Sequence, residues 1–325
     1  MVKAIRIHKY GGPEVMGFED VQLPPPGKGA VQVQNHAIGV NFIDVYFRTG
    51  LYPSPAGLPF TPGNEGAGTV ITLGEGVTGF CIGDRVAYTS PPGSYSEAIN
   101  IAAEKLLKLP ESISFDTAAA MMLKGMTAEY LLRRTFEVKP HHTVLFHAAA
   151  GGVGLIAGQW GRHLGATMIG TAGSPEKVAL AKAHGYDHVI NYNSENFVDR
   201  VKEITGGEGV DVVFDSVGKT TWLGSLDCLK PRGMFVAFGQ SSGPIEGFTL
   251  AHLQQRGSLF ATRPTMFAYT ATRRDLELSA NALFDLVSKG IIKINVNQRF
   301  RLENAADAHR ALESRGTTGA TILIP

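Results

Sequence analysis

A glycine-rich turn in the middle of the chain offers the clearest chemistry. It reads V-L-F-H-A-A-A-G-G-V-G from Val144 to Gly154, so an apolar run passes through glycines into a helical pattern. Glycines let the backbone approach a pyrophosphate, and a helix start offers unpaired N–H groups and about half a positive charge. The turn departs from G-x-G-x-x-G because Ala149 stands at the first glycine. It predicts a dinucleotide site, and the alternative is a tight turn that holds no ligand.

The end of the next apolar run bears on which dinucleotide would bind. An acidic residue at that point would hold the 2′-hydroxyl of NAD, but the chain reads G-T-A-G-S-P-E-K from Gly170 to Lys177. No carboxylate ends the strand, and the hydroxyl of Ser174 and the charge of Lys177 could hold a 2′-phosphate. The pattern therefore predicts NADPH as the cofactor. In the alternative, Ser174 only caps a helix that has Pro175 in its first turn, and the two roles can coexist.

The elements around these turns indicate the fold that positions them. Between Thr143 and Thr262, six apolar strands alternate with amphipathic helices. This alternation predicts an α/β fold with a Rossmann-type, doubly wound parallel sheet. Before about residue 110 the chain consists of short strands, such as Ala30–Val33, broken by glycine and proline, which indicates a β-rich domain. A helical run at Asp116–Leu132 separates the two parts.

The carboxyl-terminal part contains too few elements for a third domain. The expected helix, strand, helix and strand lie at Arg273–Lys289, Ile291–Val296, Ala305–Ser314 and Thr321–Ile324. We infer that they return to the amino-terminal domain, so that the nucleotide domain is an insertion and the cleft lies between the two. The predicted domains are residues 1–125 together with 263–325, and residues 126–262. A chain of 325 residues also exceeds the roughly 250–300 at which one core stops growing.

The composition excludes several classes of function. The formal net charge is +1 and the sequence pI about 7.8, so no basic field would collect nucleic acid or anionic lipid. The two cysteines, Cys81 and Cys228, cannot build a disulfide framework or a cysteine zinc site. The amino terminus lacks the apolar run of a signal peptide, and no apolar stretch approaches the ~20 residues of a membrane span. We expect a cytoplasmic protein whose partner is a small molecule.

Three further segments, taken with the nucleotide domain, resemble the medium-chain dehydrogenase/reductase superfamily, and the resemblance covers essentially the whole chain. They are Gly39–Asp44, Pro62–Gly68 and Gly83–Val86. The resemblance implies that the first domain is GroES-like. In the zinc alcohol dehydrogenases of this superfamily, a cysteine ligand stands at Asn41 and a histidine ligand at Asn64, and here the remaining ligand region, Leu123–Met126, offers no cysteine. We expect no metal, because asparagine is a poor zinc ligand.

Within the superfamily the chain looks most like bacterial quinone oxidoreductases, in the zinc-independent branch that includes zeta-crystallin. The residues that carry this likeness are Asn41–Tyr46, Gly50–Pro53, Phe146–Gly154, Asp215–Gly218 and Phe238–Gly243. The likeness implies that the adenosine 2′-phosphate is surrounded by Gly173, Ser174, Lys177, Tyr192 and Arg315. It implies that the rest of the cofactor meets Gly151, Gly152, Val153, Ser216, Phe238, Gly239 and Ser241, with Asn41 and Thr127 near the nicotinamide. It also suggests a homodimer formed by edge pairing of the nucleotide domains.

Several of these residues have a plainer interpretation. Tyr192 could simply end a strand, and Arg315 could pair with a carboxylate such as that of Glu313. Asp44 could form a turn instead of supporting a neighbouring site residue. Tyr46 and Tyr52 could be packing aromatics. The sequence leaves these alternatives open.

The lack of metal ligands narrows the reaction that is expected. A substrate that accepts hydride unaided should be conjugated and electron-poor, and quinones such as 1,4-benzoquinone meet that condition. We therefore expect an NADPH:quinone oxidoreductase. Asn41, Tyr46 and Tyr52 are the catalytic candidates, because they could shape a dry cleft that holds the two reactants face to face. No dedicated general acid is evident.

Two other functions compete with this one. An NADPH-dependent enoyl or alkenal reductase would use the same hydride delivery on an activated C=C bond, and Tyr46 could serve as its acid. A role of another class, in RNA binding or as an abundant structural protein, is associated with the zeta-crystallin branch. The near-neutral charge argues against RNA, since only Arg133-Arg134 and Arg273-Arg274 are adjacent arginine pairs.

Overall fold

Two units make up the chain in the computed structural model, which describes residues 1–325. Unit 1 consists of Met1–Lys124, Thr272–Ser288 and Ile294–Pro325. Unit 2 consists of Gly125–Ala271 and Lys289–Lys293. The domain limits proposed from the sequence therefore differ from the unit limits by one residue at the first junction and by nine at the second.

Fifteen strands and ten α-helices form these units. The strands are β1 Val2–Ile7, β2 Met16–Val21, β3 Ala30–Val40, β4 Glu65–Leu73, β5 Arg85–Thr89, β6 Ala98–Ala102, β7 Leu106–Lys108, β8 Thr143–Phe146, β9 Thr167–Ala172, β10 His188–Asn191, β11 Val210–Asp215, β12 Leu229–Ala237, β13 Phe260–Thr262, β14 Val296–Arg301 and β15 Ala320–Ile324. The helices are α1 Phe42–Thr49, α2 Phe115–Tyr130, α3 Gly152–His163, α4 Pro175–Ala183, α5 Phe197–Ile204, α6 Trp222–Asp227, α7 Leu250–Gln255, α8 Met266–Tyr269, α9 Arg273–Ser288 and α10 Ala305–Glu313. A π-helical turn, Leu131–Thr135, continues α2.

Unit 2 contains a six-stranded parallel sheet in the order β10-β9-β8-β11-β12-β13. The chain starts at β8, proceeds outward to β10, then returns to the other side of β8 and proceeds to β13. Leu145, Ile169 and Val213 in the central strands are fully buried, as expected for strands covered on both faces. The predicted Rossmann-type sheet is thus confirmed, and its strand order reverses beside β8, where such sheets bind ligands.

Unit 1 contains a seven-stranded sheet with the path β14-β15-β3-β4-β5-β7, and β6 also pairs with β3. The core on this sheet includes Val33, Val70 and Val86, all fully buried. The last strand returns to the first part of the chain, because β15 pairs antiparallel with β3 and places Leu323 opposite Ile38. The carboxyl-terminal strand thus lies in the same sheet as the amino-terminal strands, within unit 1.

Two elements differ from those expected from the sequence. The strand expected at Ile291–Val296 was wrong, since β14 starts only at Val296. Lys293 instead exchanges backbone hydrogen bonds with the side-chain amide of Gln159, at 2.8 and 3.0 Å. The helix α1 was not expected either, although Asn41 at its N-cap and Asp44 in its first turn form a local helix-start signal.

Side-chain contacts also hold the segment after β13 in unit 2. The Arg263 guanidinium donates to the carbonyl oxygens of Ala237 and Gly239, at 3.0 and 2.7 Å. The Tyr269 carbonyl accepts from Arg134 at 2.8 Å, and the Tyr269 ring stacks on Tyr130. These contacts hold residues 263–271 to the nucleotide unit. No helix in the chain is both long enough and apolar enough to cross a membrane.

Candidate functional site

The residues proposed for the cofactor gather at one edge of the unit 2 sheet. They follow the carboxyl ends of five neighbouring strands, β10, β9, β8, β11 and β12. Because these strands are parallel, all five ends lie on the same side. The residues concerned are Tyr192; Gly173 and Ser174; Gly151, Gly152 and Val153; Ser216; and Phe238, Gly239 and Ser241.

The turn after β8 is built for close approach. Gly151 precedes α3, and no side chain caps the first N–H groups of that helix. A Cβ at Gly154 would lie 2.6 Å from the carbonyl oxygen of Ala149, so only glycine fits there. The methyl of Ala149 lies against Gly170, where an added Cβ would be 2.6 Å away. Alanine at the first glycine position is therefore accommodated by a glycine on β9, and the helix start remains open to an anion.

The turn after β9 has contacts that involve four of the five residues proposed for the 2′-phosphate. A Cβ at Gly173 would overlap the phenol of Tyr192, 2.7 Å from its Cζ. The Ser174 hydroxyl accepts from the backbone N–H of Lys177 at 3.3 Å and caps α4. It also bonds to the Glu176 carboxylate, which lowers the pKa of that carboxyl group. The capping interpretation of Ser174 is confirmed, and its phosphate role stays a prediction.

The loops after β11 and β12 support each other. The Ser241 N–H donates to the Ser216 carbonyl at 3.1 Å, and a Cβ at Gly239 would lie 2.6 Å from the same oxygen. Asp215 holds the first loop, because its Oδ1 accepts from the N–H groups of Val217 and Gly218 at 2.7 and 3.0 Å. Asp215 is thus a positioning residue for Ser216, although the sequence singled it out only as part of a family segment.

Two other proposed cofactor residues, Thr127 and Arg315, belong to elements other than these strand-end loops. Thr127 is buried in α2, within unit 2. Arg315 follows α10 in unit 1 and has a left-handed backbone, with φ of 60°. Glu313, considered as an alternative partner of Arg315, binds both terminal nitrogens of the buried Arg48, at 2.8 and 2.9 Å.

In unit 1, Asn41 is fixed by two acidic residues. Its backbone N–H donates to Asp44 Oδ2 at 2.8 Å, and its side-chain Nδ2 donates to Glu65 Oε1 at 2.8 Å. The same Glu65 oxygen accepts from Lys124 Nζ at 2.7 Å, and Glu65 Oε2 accepts from the Leu123 N–H at 2.7 Å. The backbone and the side chain of Asn41 each donate to a carboxylate, and the Glu65 carboxylate is itself held by Leu123 and Lys124. Asn41 therefore has a single defined orientation.

The positions of the family's zinc ligands are occupied by groups that donate hydrogen bonds. Asn64 Nδ2 donates to the carbonyl oxygen of Ser90 at 2.9 Å, while Asn41 and Lys124 donate to Glu65. An amide nitrogen or an ammonium has no lone pair to offer a metal, and the amide oxygen of an asparagine is a poor zinc ligand compared with a thiolate or an imidazole. The donor set at these positions therefore does not suit zinc.

Asp44 connects Asn41 to a series of buried side chains that are joined by hydrogen bonds. Tyr95 donates its hydroxyl to Asp44 Oδ2 at 3.0 Å and lies 3.1 Å from His309 Nε2, and Arg48 Nη1 lies 2.9 Å from His309 Nδ1. Arginine can only donate, so Nδ1 accepts and Nε2 carries the proton. Burial, followed by the Arg48 charge, lowers the pKa of His309 to about 3. Burial raises the pKa of Asp44 to about 7.

Tyr46 and Tyr52 form an aromatic pair. Their ring centroids lie 5.2 Å apart with the planes at 62°, and the Tyr52 N–H donates to the Tyr46 carbonyl at 3.0 Å. Phe47 meets Tyr52 edge-on, with centroids 6.0 Å apart. Both tyrosines thus take part in packing, and their contact with a substrate stays a prediction.

Glu65 and Lys124 were not among the candidates chosen from the sequence. Glu65 lies in the segment Pro62–Gly68, and Lys124 lies in the region where the third zinc ligand was sought. In the sequence, these two regions were analysed only for the zinc ligands that they lack. A lysine in the region of a lost metal ligand, together with an acidic residue next to another lost ligand, is the signal that could have identified the pair.

Comparisons with known proteins agree with these observations. Residues 27–135 match the family model of the alcohol dehydrogenase GroES-like domain, and residues 152–278 match that of the zinc-binding dehydrogenases. A quinone oxidoreductase of Pseudomonas aeruginosa is 53% identical, with 100% of both chains covered. A 2-haloacrylate reductase of a Burkholderia species is 46% identical, over 100% of this chain and 99% of its own. The crystal structure of Escherichia coli quinone oxidoreductase complexed with NADPH has a TM-score of 0.97 and 51% identity, over 99% and 100% of the two chains.

Proposed function

Since this chain belongs to the zinc-independent quinone oxidoreductase branch of the medium-chain dehydrogenase/reductase superfamily, we infer that it transfers reducing equivalents from NADPH to quinones such as 1,4-benzoquinone. It is an NADPH:quinone oxidoreductase. The observation that carries the assignment is the full-length match to quinone oxidoreductases together with an open, glycine-lined edge on the unit 2 sheet. Transferred as a hydride, the reducing equivalents of one NADPH, with a proton, would convert one quinone into a hydroquinone. Transferred singly, they would convert two quinones into semiquinones.

The residues at the sheet edge fit a dinucleotide phosphate. The uncapped start of α3 suits the pyrophosphate, with Gly151, Gly152 and Val153 around it. Ser216, Phe238, Gly239 and Ser241 would line the remainder. Gly173, Ser174, Lys177, Tyr192 and Arg315 would surround the 2′-phosphate, and Asn41 and Thr127 would lie near the nicotinamide. When bound, NADPH supplies a hydride.

The chain's own residues would act mainly by positioning. Asn41 is held in one orientation by Asp44 and Glu65, so it offers a fixed polar contact. Tyr46 and Tyr52 would provide an aromatic wall for a flat ring and would exclude water. A conjugated quinone spreads the negative charge that develops on it, which is why positioning contributes much of the rate.

A second candidate function is reduction of an activated C=C bond. The observation that favours it is the similarity to a 2-haloacrylate reductase. Such a reaction needs a proton at the carbon beside the carbonyl group, and the Tyr46 hydroxyl would be its source. NADPH consumption measured with 1,4-benzoquinone and with a 2-enal separates the two functions. We expect the quinone to be preferred, and a preference of more than tenfold for the enal would overturn that order.

The outermost strand of the unit 2 sheet, β13, supports a homodimer. Strand β13 pairs with β12 on one side only, and Phe260 in it is 58% exposed. Pairing of β13 with its copy in a second chain would cover this apolar edge. Light scattering should give a mass of two 34.7 kDa chains, and a single-chain mass at micromolar concentration would contradict the dimer.

The free cysteines, Cys81 and Cys228, fit a reducing compartment, and we place the enzyme in the cytoplasm.

A further inference from the structure

The ion pair of Lys124 and Glu65 lies beside Asn41. Lys124 Nζ is 2.7 Å from Glu65 Oε1, and the side chains are 7% and 0% exposed. Asn41 Nδ2 donates to the same oxygen at 2.8 Å. Two groups that donate to one oxygen are neighbours, so the ammonium of Lys124 stands next to the amide of Asn41. A buried positive charge therefore adjoins the residue proposed to meet the nicotinamide.

The hydrogen bonds of this pair are unequally satisfied. Glu65 accepts three, from Lys124, Asn41 and the Leu123 N–H. The Lys124 ammonium carries three N–H groups, and Glu65 is its one hydrogen-bond partner in the chain. Two donors thus remain for an acceptor supplied from outside the chain. Buried polar groups are nearly always hydrogen-bonded, so this arrangement suits a ligand oxygen.

Stability alone is a poor reason to bury this pair. Two charges removed from water lose their hydration, and well-packed apolar residues of similar size are often at least as stable. Room for the carboxylate also demands a glycine, because a Cβ at Gly39 would overlap Glu65. Unit 1 thus holds the ammonium of Lys124 in a fixed place, and it does so with a buried carboxylate at Glu65 and an obligatory glycine at Gly39. A charge that is held in place before the substrate binds is the pattern of a preorganised site.

We propose that Lys124 is the electrophile of the reaction, and that its ammonium donates a hydrogen bond to the quinone oxygen on which negative charge develops. The proposal rests on the quinone reductase function proposed above. With a hydride, one quinone becomes a hydroquinone monoanion, and a proton from water completes the hydroquinone. With single electrons, two quinones become two semiquinone anions and the hydrogen of the hydride leaves as a proton. In both cases the ammonium meets the oxygen that gains negative charge. Lys124 transfers no proton in this step. Glu65 is a positioning residue, because it aims the ammonium and fixes Asn41.

The first test compares quinones that differ in electron affinity. The variant Lys124→Met removes the cation but leaves Glu65 buried without a counter-charge, so the double variant Lys124→Met/Glu65→Gln removes both charges. Loss of one preorganised donor costs about 10²–10³ in kcat. We expect a loss of about a hundredfold for tetramethyl-1,4-benzoquinone and of less than about tenfold for 1,4-benzoquinone, which needs little assistance. Lys230→Met, which breaks the ion pair with Asp211, serves as the matched control and should change neither rate.

The second test needs no turnover. 4-Nitrophenol ionises to a yellow phenolate that resembles the hydroquinone monoanion, and its titration can be followed by absorbance in the presence of the enzyme. An ammonium should favour the bound phenolate about tenfold over the phenol, which lowers the apparent pKa of the bound probe by about one unit. The double variant should abolish this preference, and Lys230→Met should retain it.

The outcomes separate the two proposals. An equal loss of kcat for all quinones in the double variant would make the pair merely structural and overturn the role of Lys124. An unchanged phenolate titration in the double variant would overturn it as well. A wild-type enzyme that reduces 2-enals and no quinone would contradict the proposed function instead, and the phenolate titration would then decide the role of Lys124.

Discussion

The backbone N–H of Asn41 donates a hydrogen bond of 2.8 Å to Oδ2 of Asp44, three residues further along the chain. The bond joins the residue before α1 to the first turn of that helix, so it fixes the start of α1. Tyr95 donates to the same carboxyl oxygen, at 3.0 Å. The ionisation of Asp44 is therefore coupled to the position of Asn41.

Asp44 should make the stability of the fold depend on pH. Burial raises its pKa from an ordinary value of 3.8 to about 7, although the hydrogen bonds from the Asn41 N–H and the Tyr95 hydroxyl act to lower it. The folded chain binds this proton more tightly than the unfolded chain. The stabilisation is thus complete below about pH 3.8 and is lost as the pH rises through about 7, by up to about 4 kcal/mol.

Urea unfolding of wild type and Asp44→Asn at pH 5, 6, 7 and 8 measures this effect. Other titrating groups cancel in the difference between the two proteins. The free energy of unfolding of wild type should fall relative to that of Asp44→Asn as the pH rises. A difference that stays constant from pH 5 to 8 would show that Asp44 keeps one charge state throughout.

The nucleotide site could be predicted from the sequence because its signals are local. The turn Val144–Gly154 and the segment Gly170–Lys177 each combine a strand end, glycines and a helix start within a dozen residues. The strands that lead into these two turns were also predicted from local patterns of apolar residues. Even the substitution of Ala149 for glycine was visible, although its compensation by Gly170 on the neighbouring strand was not.

The Asn41 site could not be predicted in the same way, because its contacts join distant parts of the chain. Glu65 and Lys124 are 59 residues apart, and Tyr95 and His309 are 214 apart. No periodicity links such residues, and the charge of Glu65 alone would have suggested a surface position. The family likeness pointed to Asn41 as a site residue, but only the fold brings the carboxylate and the ammonium to it.

Metal removal should leave the activity unchanged. Asn41, Asn64 and Lys124, which stand in the regions of the family's zinc ligands, direct N–H groups to acceptors of the chain. Prolonged dialysis against a chelator should therefore preserve the rate of NADPH oxidation with 1,4-benzoquinone. One tightly held zinc per chain, found by elemental analysis of the active enzyme, would refute this expectation.

Lys177 should decide the choice between NADPH and NADH. It lies in the first turn of α4, beside the Ser174 cap and the Gly173–Tyr192 contact. A charge-assisted bond to a phosphate contributes roughly 1.5–3 kcal/mol, so Lys177→Ala should weaken NADPH binding about ten- to a hundredfold. NADH binding should change little. Lys182→Ala, at an exposed position in the last turn of the same helix, is the control. Equal weakening of both cofactors would remove Lys177 from the phosphate site.

Gly154 should be intolerant of a side chain. A Cβ there would lie 2.6 Å from the Ala149 carbonyl oxygen, so Gly154→Ala must displace the turn or the helix α3. We expect a lower Tm and NADPH binding weakened by at least about tenfold, because the helix start no longer meets the pyrophosphate. Gly27→Ala is the matched control, since an added Cβ there would meet nothing within 4 Å. Binding that remains unchanged in Gly154→Ala would contradict the proposed pyrophosphate site.

The hydroxyl groups of Tyr46 and Tyr52 should contribute little to quinone reduction. The two rings pack edge to face at 5.2 Å, and Phe47 extends the aromatic cluster beyond Tyr52. If these residues act as a wall for a flat substrate, Tyr46→Phe and Tyr52→Phe should remain within a few-fold of wild type, whereas general acid catalysis typically contributes about 10²–10⁴-fold. Tyr46→Ala should be more harmful, because it removes the partner ring of Tyr52 and admits water.

The deciding measurement is the rate with 1,4-benzoquinone at saturating NADPH for Tyr46→Phe. Quinone reduction needs only a hydride and a proton on oxygen, which water can supply once the negative charge is spread over the ring. Reduction of a C=C bond needs a proton on carbon, which is a slower transfer and requires a placed acid. A loss of a hundredfold or more in Tyr46→Phe would therefore identify the hydroxyl as a proton donor, and would favour the enoyl reductase over the quinone reductase.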